Sequence, residues 1–234
     1  MFYIGVDVSI NSTGVCIFDD KLKKWKFVSF PANISEKQIQ SGKSLAFQDF
    51  LHDDEFKVVS LERKISKLSK QEKKKQYSMV EILKLHDAIR NARIVAETIA
   101  KGINDSKDVK IGIEGFSYGS KGNSLIDIVG YSYLIRYYLN LITQDLIIVS
   151  PSEVKKFAGR TLSKKTGGAN KLQMLDLFAE NSSGDSEIKK SSIWKSISKN
   201  RNLIVNEKGT EIKKPFDDLI DAYFISHYIR FTTK

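Results

Sequence analysis

The sequence holds one cysteine, Cys16, in 234 residues. A lone thiol excludes an internal disulfide framework and a multi-cysteine zinc site, and points to a reducing compartment. Proline is nearly as scarce, with 3 residues beside 14 glycines, which excludes collagen-like and linker-like chains. Long apolar runs are missing too. The longest uncharged stretch is Val8–Phe18, far short of the ~20 residues a membrane-spanning helix needs. The N-terminus has no basic region ahead of an apolar segment, and Asp7 breaks its first apolar run, so no secretory signal is expected. Hydrophobic residues reach 41%, too many for a disordered chain and enough for a sizeable core. The expectation is a soluble intracellular protein, one domain over 1–234, with no membrane partner.

What the chain has in excess is positive charge. Lys and Arg number 38 against 28 Asp and Glu, a formal net charge of +10 at pH 7. Such an excess favours nucleic acid as a partner. The charge is also clustered. Arg63–Lys75 carries seven basic residues and one Glu, Val154–Lys171 six and no acid, and Lys189–Lys214 eight against two acids. Any one run could be a solvated loop; three together suit a phosphate backbone.

Phe2–Val8, Thr13–Phe18 and Trp25–Phe30 are short apolar, β-branched or aromatic runs separated by turn residues, and predict an antiparallel meander. Phe56–Leu61 is a candidate extra strand. Apolar residues at Val80, Leu83, Leu85, Ile89, Ile94, Val95 and Ile99 predict a helix over Tyr77–Ile103. Strands are expected at Val109–Glu114 and Asp145–Val149, with a helix at Leu125–Ile142 between them. Ser150-Pro151-Ser152-Glu153 reads as a capping box with proline at the first helical position. Helices are also expected at Lys171–Ala179 and Phe216–Ile229, while Asn181–Thr210 reads as a polar insertion or flexible arm. Hairpin strands followed by strands alternating with helices imply an α/β mixed sheet of five strands, three antiparallel and two parallel, flanked by helices. That order matches the ribonuclease H-like fold, with insertions near 34–76 and 181–210.

Four acids are placed where chemistry could use them. Asp7 lies in an apolar strand, where an ionised group is costly unless compensated. Glu114 ends a strand, where ligand sites of sheet proteins gather. Asp218 and Asp221 are three apart near the start of the closing helix and share a face. That face continues through Ala222, Ile225 and Ile229, so two carboxylates crown an apolar stripe and need a cation or a proton between them. Asp217 reads instead as a first-turn acid welcomed by the helix dipole. An oxygen-only set without His or Cys suits Mg²⁺ or Mn²⁺. Two such ions roughly 4 Å apart can activate water and stabilise a leaving 3′ oxygen.

These residues carry a family resemblance. Ile4-Gly5-Val6-Asp7-Val8-Ser9, Ile113-Glu114-Gly115-Phe116 and Asp218-Leu219-Ile220-Asp221-Ala222 resemble, in order, the acid-bearing segments of the RuvC family of Holliday-junction resolving endonucleases. Ser152-Glu153-Val154-Lys155 and Gly168-Ala169-Asn170-Lys171 look like its two basic segments. The resemblance implies a ribonuclease H-like fold and a hydrolase that acts in DNA recombination and repair. It implies two metal ions held by Asp7, Glu114, Asp218 and Asp221, and a catalytic Lys171. It implies a branched or four-way-junction substrate with Lys155 and Lys171 near the DNA. The same acid-free basic run adds Lys156, Arg160, Lys164 and Lys165 as expected DNA contacts, and the two equivalent strands of a junction predict a homodimer. Phe116 and Tyr118 are both candidates for the aromatic that wedges the junction. Enlarged, lysine-rich relatives of this kind are found in viruses and phages.

Other readings stay open at this stage. The first strand and turn also resemble the phosphate hairpin of actin-like ATPases and sugar kinases, but Gly167-Gly168 is the only glycine pair and sits among lysines. A nuclease for another branched or RNA–DNA substrate uses the same four acids, and a non-catalytic DNA-binding relative would keep the basic runs. His52, His86 and His227 read as surface or core imidazoles and Cys16 as a small buried hydrophobe. Tyr131, Tyr133, Tyr137 and Tyr138 read as helix packing or a dimer face.

Overall fold

The computed structural model describes residues 1–34, 54–116, 123–161, 169–181, 184–206 and 208–233. The three N-terminal runs form the meander as expected: β1 (Phe2–Asp7), β2 (Ser12–Asp19) and β3 (Lys24–Pro31), paired antiparallel. The β2–β3 turn needs no glycine. Asp19 Oδ1 accepts hydrogen bonds from the Lys21 and Leu22 amides, and Lys23 takes the left-handed conformation at φ 55°. β4 (Phe56–Val58) joins β3 in parallel. β5 (Val109–Glu114) lies parallel to β1, and β6 (Leu146–Val149) parallel to β5. The order β4-β3-β2-β1-β5-β6 has the directions the ribonuclease H-like reading calls for, with a sixth strand beyond the expected five.

Helices cover both faces. α1 (Lys70–Lys75) is a short basic turn started by a Ser69 capping box and buries nothing. α2 (Tyr77–Gly102) and α3 (Asn123–Asn140) lie over one face. There Ile4, Val6, Val15, Ile17, Ile111 and Ile113 meet Val95, Ile99, Ile135 and Leu139 in one core. The other face takes α4 (Pro151–Ala158), α5 (Lys171–Ala179), α6 (Ser192–Lys199), α7 (Arg201–Ile204) and α8 (Phe216–Thr232). Phe18, Trp25 and Phe27 meet Met174, Phe178, Phe216, Tyr223 and Ile225 in that second core.

Two expectations need correction. The segment read as a flexible arm is folded where it is described: Ile188, Ile193, Ile197 and Ile204 are buried in the second core. Ser191 caps α6, and the Trp194 indole donates to the Phe178 carbonyl at 2.8 Å. The apolar signal is only Ile193 and Ile197, one turn apart, too short to stand out among lysines and serines. The capping box at Ser150 does not form either. Proline occupies the first turn of α4, but the Ser150 hydroxyl pairs with the Ser152 hydroxyl at 2.8 Å instead of the helix amides. The box forms at the start of α5, between Asn170 and Gln173.

α8 is the central helix of the site face and is buried almost all round. It lies unusually close to the sheet because three strand positions beneath it have no side chain. A Cβ on Gly5 would stand 1.9 Å from the Ala222 carbonyl oxygen, and one on Gly14 2.4 Å from that of Asp218. A Cβ on Gly112 would meet Ile225 and Ile229 at 2.9 Å. The Ser226 hydroxyl donates to the Tyr3 carbonyl at 3.0 Å, closing the same seam. Small residues on the strands thus set the depth at which the acids of α8 sit.

Candidate active site

β1 and β5 run in parallel with Val6 level with Ile113, so the next residues, Asp7 and Glu114, end adjacent strands side by side. Asp7 also faces Gly14 across the β1–β2 ladder. Side chains alternate along a strand, so Asp7 shares the face of Gly5 and Glu114 that of Gly112, the face that carries α8. Asp218, on the first turn of α8, sits over Gly14. Asp221, one turn on, completes the group.

The electrostatics bind these four together. Burial raises the Asp7 carboxyl well above the usual carboxylate range, and the negative charges of Glu114, Asp221 and Asp218 raise it further. Burial likewise pushes Asp221 up to about 7; Lys171 opposes this and Glu114 adds to it. Asp218 is raised by burial, with Lys214 pulling the other way. The fold therefore brings all four acids together at the C-terminal ends of β1 and β5, with Asp7 and Asp218 buried and Glu114 and Asp221 partly exposed.

Two lysines enter the pocket. Lys171, the first residue of α5, reaches Asp217 Oδ2 at 2.9 Å. Burial works against its ammonium, but Asp217, with Asp221 and Asp7 behind it, outweighs this and raises its pKa. Lys214 reaches the same Asp217 oxygen at 3.0 Å and also contacts Asp218 Oδ1. Asp217 lies in the first turn of α8 as expected, but its surroundings go beyond the helix dipole. It is 5% exposed and holds two ammonium groups. Nothing in the local sequence signals this, because an acid at a helix start is ordinary. Lys214 is equally silent, one lysine within a basic run.

The donor set is oxygen-only, and Asp217 Oδ1 and Asp218 Oδ2 are buried without hydrogen-bond partners. Those free lone pairs fit a hard divalent cation in kind. Among the described residues, however, no three acidic, His or Cys side chains are already arranged around one ion position. The lysines balance part of the charge instead.

The remaining expected contacts distribute around this pocket. Lys155, half-buried on α4, is near enough for its charge to favour ionised Asp221. Lys156 and Arg160 are exposed, and the Arg160 guanidinium lies 4.2 Å over the Phe157 ring. Phe116 follows Glu114 by two residues and is half-buried, stacked under the Arg136 guanidinium at 4.6 Å and beside Tyr133 at 5.8 Å. Tyr118, Lys164 and Lys165 lie outside the described residues. The basic run at Arg63 begins beside the pocket: Arg63 Nη1 donates to Asn11 Oδ1 at 2.8 Å, in the turn that follows Asp7. Asp87 holds that run in place by accepting the Ile65 amide at 3.2 Å.

Of the other titratable candidates, His52 lies outside the described residues and His86 is exposed on α2. His227 is a core imidazole, 1% exposed, between Tyr223, Phe157 and Phe231. Cys16 is a buried free thiol. Among the described residues no helix is long and apolar enough to cross a membrane.

No family model matches this sequence, and no curated protein matches it. Among solved structures, one that it resembles is the Thermus thermophilus RuvC structure. The likeness has a TM-score of 0.44 and 11% sequence identity, and covers 97% of this chain and 91% of that one.

Proposed function

We propose that the protein is a metal-dependent endonuclease of the RuvC type. In this reading it hydrolyses phosphodiester bonds in four-way or otherwise branched DNA, leaving 5′-phosphate and 3′-hydroxyl ends. The observation that carries it is the meeting of Asp7, Glu114, Asp218 and Asp221 in one oxygen-only cluster, where burial first, and then the neighbouring negative charges, raise the Asp7 carboxyl well above the usual carboxylate range. Asp7, Glu114, Asp218 and Asp221 would hold the divalent ions. When bound, Mg²⁺ or Mn²⁺ supplies an activated water and neutralises charge on the leaving oxygen.

The chain's own residues supply the rest. Lys155 and Lys171 bracket the pocket and are placed to meet the scissile phosphate, where a fixed positive charge stabilises the charge that develops during hydrolysis. Arg63, anchored to the turn after Asp7, leads a basic run along the same edge, and Lys156 on α4 and Arg160 just beyond it extend the basic surface. These contacts bind backbone without reading sequence. Phe116, with Arg136 on its ring, offers a flat aromatic surface two residues from Glu114 for an unpaired base at a branch point. A second copy docks through the exposed apolar side chains of Leu85, Ile126, Tyr133 and Tyr137, which line one open cavity. A symmetric pair would present two pockets to the two equivalent strands of a four-way junction.

One observation favours a second reading, a DNA-binding relative without catalysis: Lys214 already neutralises Asp218. Labelled four-way junction, flap, duplex and RNA–DNA hybrid, incubated side by side with Mg²⁺, separate the two. Paired nicks in the junction near its crossover are expected. Cleavage of the hybrid alone would reassign the substrate, and binding without cleavage in either metal would leave the non-catalytic reading.

A further inference from the structure

We infer that Lys214 is a tethered cation that shares Asp218 with the incoming divalent metal, and that it must leave that carboxylate for the metal site to fill. The inference rests on the metal-binding reading of the acidic pocket. Lys214 stands one helical turn ahead of Asp218 and three residues ahead of Asp217, so its side chain can reach both. Its Nζ contacts Asp218 Oδ1 and lies 3.0 Å from Asp217 Oδ2, which also takes Lys171 at 2.9 Å. Ammonium and carboxylate therefore alternate along one chain, Lys171, Asp217, Lys214, Asp218, with no net formal charge.

The pairing is selective. Asp218 is 1% exposed and Asp217 5%, and carboxylates that deep need a counter-charge if they are to stay ionised. Among the described residues, Asp7, Glu114 and Asp221 make no ion pair within 4 Å, so Lys214 is aimed at one of the four acids. The second oxygens of the two paired acids, Asp217 Oδ1 and Asp218 Oδ2, remain buried and without partners. A cation arriving among these acids would find Asp218 half-occupied, with one oxygen on Lys214 and the Ser12 hydroxyl also close enough to act on the carboxylate.

Release of Lys214 is structurally easy, because the alternatives are at hand. Its side chain is half exposed, and Asp217 Oδ2 remains within reach once Asp218 turns to the metal. The freed ammonium then stays tied to the rim of the pocket by Asp217, where the first phosphate oxygen to approach would meet it. Asp217 is in this account a positioning residue, which keeps both lysines at the pocket after the metal has displaced one of them. The arrangement stabilises the metal-free protein and weakens its hold on metal by the same contact.

The test is calorimetric titration of Mn²⁺ into the full chain without DNA, for the wild type, Lys214→Met and Asp7→Asn, with melting curves in chelator and in Mn²⁺. Lys214→Met is expected to bind Mn²⁺ on the order of tenfold more tightly, since a unit charge in contact with a ligand oxygen is removed. It is also expected to melt below the wild type in chelator and to recover the difference in Mn²⁺. Should the Met variant not fold, Lys214→Gln removes the charge while keeping a donor for Asp218 and carries the same expectation. Equal or weaker Mn²⁺ affinity in the Lys214 variants, with binding lost in Asp7→Asn, leaves the metal site standing and overturns the inference. Absence of Mn²⁺ binding in every protein overturns both.

Discussion

Asp7 and Glu114 end two adjacent parallel strands at the same level, one step beyond the paired residues Val6 and Ile113. Neither strand could place an acid there alone with the same effect. It is the parallel register that sets two carboxylates shoulder to shoulder, and α8 then adds Asp218 and Asp221 from above. Because burial and three neighbouring charges all raise the Asp7 pKa, its ionised form is a cost to the metal-free fold. Asp7→Asn is therefore expected to reduce cleavage to background while leaving junction binding within about twofold, since the basic surface is untouched. In chelator it is expected to melt above the wild type. Full activity of Asp7→Asn in Mg²⁺ would remove Asp7 from the site.

The depth of α8 gives a second prediction. Gly5 has no room for a methyl group, whose carbon would lie 1.9 Å from the Ala222 carbonyl oxygen. Backbone on both sides cannot yield cheaply, so Gly5→Ala is expected to cost about 3 kcal/mol or more in chemical denaturation. It is also expected to lift Asp218 and Asp221 away from Asp7, with loss of metal binding in whatever fraction folds. Gly130, on the outside of α3, is a contrast: a methyl group there would have nothing within 4 Å. Gly130→Ala is expected to stabilise by about 0.5–1 kcal/mol through helix propensity. A Gly5→Ala protein as stable as the wild type would mean that the close helix–sheet contact is not what positions the acids.

How much of this is readable from the sequence depends on the kind of signal. β1, β2 and β3 are legible because turn residues separate short β-branched and aromatic runs. Asp7 is legible because an acid inside such a run is out of place. Glu114, Asp218 and Asp221 follow from their positions at a strand end and on one helix face. Asp217 and Lys214 are not legible, since each has an ordinary local explanation and their pairing depends on tertiary packing. The fold of α6 is hidden for a related reason: two isoleucines one turn apart make too short a period to read. β4, with three residues, is readable only as a candidate, and Asn170 reads as part of a basic segment although it is the cap of α5.

His227 supplies a pH prediction away from the acidic pocket. Burial pushes its pKa down to about 3, with Arg230 and Arg160 adding to the effect. The unfolded chain would protonate it near 6.5. The folded state therefore binds fewer protons, so this residue's contribution is fully present above about pH 6.5 and is lost as pH falls from there towards 3. Neither ring nitrogen has a hydrogen-bond partner, so an apolar ring forfeits no bond. His227→Phe is expected to flatten the acid limb of the melting curve between pH 6.5 and 4, while Asp185 beside it keeps its own titration. An unchanged acid limb would assign that sensitivity to the carboxylates.

The last prediction concerns the second copy. Ile126 and Tyr137 are 73% and 61% exposed on α3, three helical turns apart on one side, with Gly130 between them lining the same open cavity as Leu85 of α2. Large apolar side chains exposed this close together mark an association surface more often than a solvated one. Because they are exposed, an acid at either position should leave the monomer folded, and neither side chain belongs to the acidic cluster. Ile126→Asp with Tyr137→Asp is expected to give a monomer by light scattering whose melting temperature and Mn²⁺ affinity stay close to those of the wild type. If two linked basic surfaces grip one junction, losing the partner should weaken junction binding on the order of a hundredfold while duplex binding changes little. The salt dependence of junction binding should fall at the same time, because fewer phosphates are neutralised per complex. The same experiment separates geometry from charge: a monomeric double variant that still prefers junction over duplex would place the selectivity within one chain, at the aromatic surface of Phe116, and not in the spacing between two pockets.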